Sequence, residues 1–494
     1  MSDSKTAHAP NTLEHAGPYF FCGIGGSGML PLALIVKARG HDVEGSDRSL
    51  DAGRTASKFD FLKARGIGLH PQDGSGVTRK EQLLVTSAAV EDTVPDVVAA
   101  KQLGCPQMTR PQLLAQLVNS AKVSIAVGGT SGKSTTTGMI GWILYATRRD
   151  PTVMNGAVMK NFVAGDFPFA SAIVGEGDIF VSEVDESDGS IALYNPTIAV
   201  LNNIALDHKS MDELRRLFTD FVSKAQVAVL NLDNDETKRL AAEVNHPNAL
   251  TYSLTDTNAD FSISDLVTQP DGMSCMVTEK STGERQRICL QTPGRHNLSN
   301  GLAAIAAARA CGLGLREATM ALMNFVGIRR RLEVVGTAKD ITVIDDFGHN
   351  PDKIAATLAT LHQFPGRLLV MWQPHGYGPI RQMKDQFIEM FARDLAAKDV
   401  LLMPEPAYFG YDVGAERAIH RHSRRRHRRR QDRRSPPRPP RLRRPPGRTG
   451  PTRRPHRHHG RPRRHTLGIR GRCAETGWRE RVLGRQLASE ATRG

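Results

Sequence analysis

The sequence predicts an α/β protein of three successive domains, and three observations support this prediction. Short apolar runs alternate with segments of helical period from about residue 18 to residue 410, as in parallel sheets covered by helices. Two of these units begin with a strand, a glycine-rich turn and a helix start, at 23–28 and at 129–133. A length of 494 residues, 39% of them hydrophobic, provides core for two to four domains.

The first unit covers 18–120 and follows a predicted disordered N-terminus at 1–17. Its pattern predicts strands at 19–24, 41–46 and 83–88 and helices at 28–39, 56–65 and 95–103. The turn after the first strand reads GxGxxG, which in this position favours a site for a nucleotide or its diphosphate over a plain tight turn. We expect the diphosphate to bind at Gly23, Gly25, Gly26, Ser27 and Gly28. Asp47 follows the second strand, where a ribose-binding acid belongs.

The second unit covers 121–327 and the third covers 328–410. In the second, we expect strands at 179–184, 197–202, 227–230 and within 261–290, and helices at 136–145, 211–223 and 297–311. In the third, we expect strands at 341–344, 368–372 and 400–403, and helices at 352–362 and 383–397.

The most informative stretch reads GTSGKST and opens a helix after an apolar strand. Backbone N–H groups and the positive end of the helix dipole meet there, which predicts a nucleoside triphosphate site rather than a Gly/Ser turn that binds no ligand. Its residues are Gly129, Thr130, Ser131, Gly132, Lys133, Ser134 and Thr135. Lys133 can reach the outer phosphates, and the Ser134 hydroxyl can bind Mg²⁺. The loop is shorter than the common phosphate loop because Val127 stands where that loop has its first glycine.

Two acidic clusters follow later strands, at the sheet edge where α/β proteins bind ligands. Glu183 directly follows a buried strand, where a carboxylate is costly unless it binds a cation. The alternative, a solvated loop acid, fits Glu186 and Asp188 better than Glu183. The second cluster contains Asp207 and His208, and this imidazole suits a metal ion or a phosphate. A lone histidine is more commonly structural, but the place of His208 beside Asp207 at a strand end favours a role in the site.

The net charge of +15 comes entirely from the C-terminal segment 411–494. That segment has 27 arginines, no lysine and 6 acidic residues, whereas residues 1–410 carry a net charge of −6. Such a composition predicts a disordered tail. A segment rich in arginine but without lysine is typical of GC-rich DNA translated in the wrong reading frame. We favour this interpretation of the tail over an inert disordered segment. Nucleic-acid binding by the tail is disfavoured, because aromatic residues do not interleave with the arginines.

Several other classes of protein do not fit. No apolar run reaches the roughly 18 residues of a membrane span, and the N-terminus lacks the apolar segment of a secretion signal. The six cysteines are scattered without a CxxC pair, which indicates reduced thiols and a cytoplasmic location.

Over about 18–410 the chain resembles the Mur ligase family, because seven motifs occur in that family's order. They are GIGGSGM at 23–29, GTSGKSTTT at 129–137, EVDESDGS at 183–190, NIALDH at 203–208, PGRHNLSNGLAA at 293–304, GIRRRLE at 327–333 and DDFGHNP at 345–351. The first, third and last are similar to those of members that add L-alanine, or a preformed tripeptide, to UDP-N-acetylmuramate.

The resemblance implies a Rossmann-like UDP-sugar domain, a central P-loop ATPase domain and a C-terminal Rossmann-like ligase domain, incomplete here if the tail is out of frame. It implies ATP and Mg²⁺ as cofactors, with UDP-N-acetylmuramate and an amino acid, L-alanine first, as small-molecule substrates in peptidoglycan synthesis. ATP would phosphorylate the sugar-borne carboxylate, because hydroxide is a poor leaving group, and an amine would then displace phosphate.

The resemblance also implies residue roles. Lys133 would stabilise the outer phosphates, Ser134 and Glu183 would bind one Mg²⁺, and His208 would belong to a second Mg²⁺ site. His349 would face the incoming amine. His296 and Asn300 would contact adenine, Arg331 would contact the phosphates, and Asp346 would contact the ribose of ATP. The glycine turn, with Asp47 and Ser87, would bind the UDP-sugar. Each of these residues also has a purely structural alternative. His296 and Asn300 would be helix-capping groups, Asp346 would cap a strand end, and Arg331 would belong to a solvated hinge.

The chain departs from the family pattern at four positions. Ser131 stands where many members have histidine, and Asn350 replaces the second histidine of GHHP. Gly376 and Pro379 occupy the two arginine positions of QPHRYTR, where arginine would pair with the amino-acid carboxylate, and Arg381 follows nearby. The amine is therefore L-alanine, a tripeptide or another amine. A nucleic-acid-binding P-loop protein and a non-catalytic nucleotide-sugar-binding protein are the alternatives of other classes.

Overall fold

Three sheet-containing parts follow one another in the computed structural model, and we call them the first, central and third domains. The structure describes residues 13, 15–87, 90–206, 209–269, 272–374 and 377–406, without the side chains of Gln269, Tyr377 and Pro379. The predicted tail 411–494 and most of the predicted disordered N-terminus lie outside these residues. Leu13 is buried, and His15 Nε2 is 3.0 Å from the Glu81 carbonyl oxygen, so the chain contacts the first domain before residue 18.

The first domain is a five-stranded parallel sheet with helices on its faces. Its strands are β1 (Tyr19–Cys22), β2 (Val43–Ser46), β3 (Gly68–His70), β4 (Leu83–Thr86) and β5 (Gln107–Thr109). Its helices are α1 (Met29–Ala38), α2 (Arg48–Asp51), α3 (Ala56–Lys63), α4 (Pro95–Leu103) and α5 (Arg110–Asn119). The strand order β3-β2-β1-β4-β5 reverses between β1 and β4, which opens a ligand crevice beyond the carboxyl ends of these two strands.

The central domain carries a ten-stranded mixed sheet in the order β15-β14-β13-β12-β11-β10-β6-β9-β7-β8. Its strands are β6 (Val123–Gly128), β7 (Thr152–Met154), β8 (Ala172–Ile173), β9 (Ile179–Glu183), β10 (Ile198–Leu201), β11 (Val227–Asn231), β12 (Ala249–Tyr252), β13 (Phe261–Gln269), β14 (Gly272–Glu279) and β15 (Arg285–Leu290). Its helices are α6 (Lys133–Ala146), α7 (Met211–Ser223), α8 (Asp235–Val244), α9 (Arg295–Ala310) and α10 (Leu315–Leu322). Because β6 lies between β9 and β10 and runs parallel to both, the loops after all three strands share one edge.

The third domain contains two small sheets. Its strands are β16 (Glu333–Ala338), β17 (Ile341–Asp345), β18 (Leu369–Met371) and β19 (Val400–Leu402), and its helices are α11 (Pro351–Leu361), α12 (Tyr377–Gln382) and α13 (Lys384–Asp394). β16 and β17 form an antiparallel hairpin, and β18 pairs with β19 in parallel. The core lies between α11, α13 and the second sheet and includes Ile354, Leu358, Phe387, Met390 and Phe391.

The predicted α/β class is confirmed, and most predicted elements lie within a few residues of those observed. β17 joins the unpredicted strand β16 rather than β18, through a turn at Lys339 and Asp340 whose φ angles are +51° and +60°. Across the described residues, no helix is long and apolar enough to cross a membrane.

Candidate active site

The loop from β6 to α6 is shaped by two glycines with positive φ. Gly129 has φ +130° and Gly132 has φ +86°, conformations that side chains disfavour. A Cβ atom on Gly132 would collide with Asn300 Oδ1 and would lie 2.8 Å from Asn202 Nδ2. The loop is therefore pressed against both the end of β10 and the first turns of α9, which brings predicted residues of two motifs together.

Asn202 and Asn203, directly after β10, fix this loop. Asn203 Oδ1 accepts a hydrogen bond from Ser131 N at 2.9 Å, and Asn203 Nδ2 donates to the Ser131 carbonyl oxygen at 3.0 Å. Asn202 Nδ2 donates to Thr136 Oγ1 at 2.9 Å. Ser131, the first of the four departures from the family pattern, is thus held through its backbone N–H and carbonyl groups. These asparagines begin the stretch that contains the second predicted cluster, but no motif indicated that their side chains order the loop.

Glu183 lies at the end of β9, beside the start of α6. Its Oε2 accepts a hydrogen bond from Ser134 Oγ at 2.7 Å, and a Cβ on Gly156 would collide with its Oε1. Asn155 Nδ2 donates to the Ser134 carbonyl oxygen at 2.8 Å, which fixes the serine backbone. The structure therefore brings together two oxygen donors of the type that Mg²⁺ prefers.

Lys133 makes an ion pair with Glu186, whose Oε2 lies 2.5 Å from Lys133 Nζ. Glu186 is 3% exposed, so the expectation of a solvated loop acid is wrong for this residue, because the lysine brings it inward. Burial alone would raise the pKa of Asp185, but the charge of Lys133, hydrogen bonds from Ser187 and the charge of Arg110 together lower it. Negative charge thus concentrates around the lysine at this edge of the sheet.

Four further predicted residues approach from α9 and the third domain. Asn300 is buried beside Gly132. His296 is solvent-exposed on α9, but the surrounding protein still desolvates its ring and lowers its pKa, against the opposing charge of Asp346. Burial also lowers the pKa of Arg331, although the charges of Glu183 and Asp346 raise it. Arg331 therefore lies within electrostatic reach of the Glu183 carboxylate.

Asp346 is already hydrogen-bonded by its own domain. Its Oδ1 accepts from Leu332 N at 3.0 Å, and its Oδ2 accepts from Thr357 Oγ1 at 2.9 Å and Gly348 N at 3.2 Å. These contacts match the strand-end cap that was the alternative for this residue. A ribose contact by Asp346 stays a prediction.

In the first domain, Asp47 lies beneath the glycine turn. Its Oδ2 accepts from Gly25 N at 2.9 Å, and its Oδ1 accepts from Ser49 N at 2.7 Å as the cap of α2. Gly23, with φ +80°, follows β1, and Ser87 follows β4, so they flank the crevice at the reversal of strand order. The remaining turn residues, Gly26, Ser27 and Gly28, lead into α1, whose first residue is Met29.

A pocket connects the first and central domains, and Arg110 is a charged residue in it that the sequence predictions missed. Arg110 opens α5, and the pocket lining also includes Lys133, Glu183, Asp185 and Tyr194. A Cβ on Gly28 would lie 3.0 Å from Arg110 Cδ, so the arginine also adjoins the glycine turn. The capping box of Thr109 and Gln112 was the available sequence signal for this helix.

Some predicted residues are not placed at this site. His208 and Asp207 lie outside the described residues, as does Gly376. His349 is exposed in the third domain, with Nδ1 3.1 Å from the Phe347 carbonyl oxygen and Nε2 3.3 Å from Lys353 Nζ. Asn350, the second departure from the family pattern, accepts from Lys353 N at 2.9 Å and caps α11. A helix cap explains why asparagine is favourable at this position.

Family models match all three parts of the chain. The model described as "Mur ligase family, catalytic domain" matches residues 18–122, the "Mur ligase middle domain" matches 127–308, and the "Mur ligase, glutamate ligase domain" matches 330–427. Together they extend over most of the sequence.

Individual proteins agree with this match. The UDP-N-acetylmuramate–L-alanine ligase of Dictyoglomus turgidum is 34% identical over 393 residues, which cover 78% of this chain and 81% of the relative. The crystal structure of the UDP-N-acetylmuramate-alanine ligase of Thermotoga maritima superposes with a TM-score of 0.64 at 23% identity, over 84% of this chain and 99% of the other. A murein peptide ligase from Psychrobacter arcticus gives a TM-score of 0.62 at 23% identity, over 83% and 98%. At that identity the two structures show a shared fold.

Proposed function

Because the chain belongs to the Mur ligase family, we propose that it is an ATP-dependent ligase that joins an amino acid to the carboxylate of UDP-N-acetylmuramate. L-alanine is the amino acid named for the relative from Dictyoglomus turgidum. The pocket that Arg110 of the first domain shares with Lys133 and Glu183 of the central domain carries the proposal. Such a pocket lets an anionic sugar substrate meet a triphosphate.

The chemistry proceeds through an acyl phosphate. A carboxylate oxygen of the sugar substrate attacks the γ-phosphorus, the bond to the β-phosphate oxygen breaks, and ADP leaves. The amine then attacks the acyl carbon, loses a proton and expels inorganic phosphate, so that an amide bond replaces one phosphoanhydride bond. Lys133 neutralises charge on the transferring phosphoryl group, and Arg110 holds an anionic group of the sugar substrate.

Ser134 and Glu183 would hold the magnesium ion. Their oxygens form a hard donor set, which fits Mg²⁺, and they lie 2.7 Å apart at the start of α6. Bound there, Mg²⁺ would neutralise phosphate charge. This proposal also includes two predicted roles: His208 would belong to a second metal site, and His349 would face the incoming amine.

The nucleotide would lie between the glycine loop and α9. Asn300 and His296 on the first turns of α9 would contact adenine, and Arg331 would add positive charge beside the phosphates. Asp346 would reach the ribose by exchanging one of its present hydrogen bonds. In the first domain, the glycine turn with Asp47 and Ser87 would bind the UDP moiety at the β1–β4 crevice.

Phosphate release tests this proposal. The full chain is assayed with ATP, Mg²⁺ and UDP-N-acetylmuramate while the amine alone is varied. We expect release that depends on all four components and is abolished in Lys133→Ala. Turnover that no amine stimulates, or that is unchanged in Lys133→Ala, would contradict the proposal.

A preformed peptide is the second candidate for the amine. Gly376 and Pro379 stand where L-alanine-adding members have arginine, so the usual carboxylate clamp is altered. The same assay with L-alanine, and with the tripeptide L-alanyl-γ-D-glutamyl-meso-diaminopimelate, distinguishes the two by their kcat/KM ratio.

A further inference from the structure

Glu186 occupies a position from which it competes for the lysine that a triphosphate needs. Its Oε2 is 2.5 Å from Lys133 Nζ, and the two side chains are 4% and 18% exposed. A charge-assisted hydrogen bond at such low exposure is among the stronger pairwise contacts in a protein. Any phosphate that draws Lys133 toward itself must weaken this contact.

The surroundings of Lys133 strengthen the competition. The lysine charge also acts on Asp185, where it helps to lower the pKa of that carboxyl against the effect of burial. When Lys133 moves toward a phosphate, both carboxylates lose a favourable partner, and Glu186 is left buried without its cation. Removing one member of a buried pair is costly, so nucleotide binding has to offset that loss.

Glu183 and Glu186, three residues apart, have different contacts. Glu183 accepts a hydrogen bond from the Ser134 hydroxyl, and these two oxygens are suited to binding a metal ion. Glu186 instead contacts the Lys133 ammonium. Glu186 is therefore not one of the ligands of the proposed metal site.

We propose that Glu186 is a positioning residue that competes with bound nucleotide for Lys133 and thereby weakens the binding of both ATP and ADP. The proposal rests on the proposed function, since it needs the triphosphate at Lys133. After phosphoryl transfer, return of Lys133 to Glu186 favours the departure of ADP. Glu186 acts through the lysine and not on the substrate.

The test measures the dissociation constants of ADP and of a non-hydrolysable ATP analogue, with Mg²⁺, by calorimetry on the full chain. For Glu186→Gln we expect both constants to fall by about tenfold, because a neutral amide holds the ammonium less strongly. We also expect slower ADP release in stopped flow. The matched control is Asp178→Asn, which removes the acceptor of an exposed pair with Lys122 at 2.8 Å. Unchanged or weaker nucleotide binding by Glu186→Gln would overturn the proposal.

A double-mutant cycle separates competition for the lysine from general repulsion of phosphate by Glu186. In a Lys133→Met background, the additional change Glu186→Gln should alter the dissociation constants by less than about twofold. Tightening that persists in this background would overturn the proposal. If Glu186→Gln does not fold, Glu186→Asp serves instead, since its shorter carboxylate should give a smaller tightening. A wild-type chain that binds no nucleotide would overturn the proposed function, whereas normal wild-type binding with an unchanged variant overturns this inference alone.

Discussion

Arg110 Nη2 in the first domain and Asp188 Oδ2 in the central domain lie 3.8 Å apart, and Arg110 also lines the pocket between the two domains. Asp188 balances part of the arginine charge, but both side chains are partly exposed, at 22% and 27%. An exchangeable partner of this kind leaves Arg110 able to hold an anionic substrate. The pair therefore links substrate binding to the acidic loop that also carries Glu183 and Glu186.

The first prediction concerns Arg110. Arg110→Ala should raise the KM for UDP-N-acetylmuramate by roughly tenfold to a hundredfold, because a charge-assisted hydrogen bond to the substrate is lost. The dissociation constant of the ATP analogue should change little. Steady-state kinetics and calorimetry measure the two effects. Lys101→Ala is the control, since it removes an exposed pair with Asp92 in the same domain. Equal losses in both variants would contradict a substrate contact by Arg110.

The second prediction concerns Glu183. Glu183→Gln should lower kcat by roughly a hundredfold or more, because a neutral amide is a weak ligand for Mg²⁺ and leaves the phosphate charge less well neutralised. The Mg²⁺ concentration for half-maximal rate should rise. Phosphate release at varied Mg²⁺ gives both quantities, with Asp178→Asn as the control. A reduced kcat with an unaltered Mg²⁺ requirement would argue for a different role.

The third prediction is a pH dependence of stability. The folded protein holds the pKa of His296 below its ordinary value of 6.5, mainly through desolvation, so the unfolded chain binds the proton more readily. Its contribution to stability is therefore complete above pH 6.5 and is lost as pH falls through the lowered folded pKa. We expect the free energy of unfolding to fall less between pH 7.5 and 5.5 in His296→Gln than in the wild type, as measured by urea titration. His246→Gln controls for the loss of a histidine as such, and a matching change in that variant would count against the prediction.

The sequence predicted those elements whose signals are local. β1 is an uninterrupted buried apolar run, and α6 begins at the lysine of a glycine-rich loop, so both could be placed from their own residues. β5 and α2 are three and four residues long and bury none of their side chains, and an apolar pattern cannot reveal such elements. The hairpin of β16 and β17 is similarly solvent-exposed.

Only those residues of the candidate site that belong to a recognisable sequence motif were predicted. Lys133 and Ser134 could be assigned from the spacing of the glycine-rich loop after β6, and Glu183 from its place at the end of an apolar strand. The burial of Glu186 could not be predicted, because it depends on Lys133 at the start of α6, a distant part of the sequence. The same holds for Arg110, which reaches Asp188 through the packing of two domains.

The fourth prediction concerns the outer face of β18 and β19. The alternate residues Val370 and Leu401 pack on the core between α11 and α13, whereas Leu369, Met371 and Leu402 are 62%, 77% and 59% exposed. Strands that are apolar on both faces are typical of parallel sheets covered on both sides. Exposed apolar surface of this kind promotes association, and each such side chain gains about 1.5–3 kcal/mol when fully buried.

We therefore expect the chain to self-associate through this face. Met371→Lys should weaken association by about tenfold or more in sedimentation velocity, because burying a lysine at the contact is unfavourable. Thr337→Lys, on the exposed hairpin, adds the same charge without touching the face and should leave association unchanged. Val370→Lys, on the inner face, should instead lower the thermal stability of the third domain. If Met371→Lys and Thr337→Lys behave alike, charge alone controls association and this apolar face is not the contact.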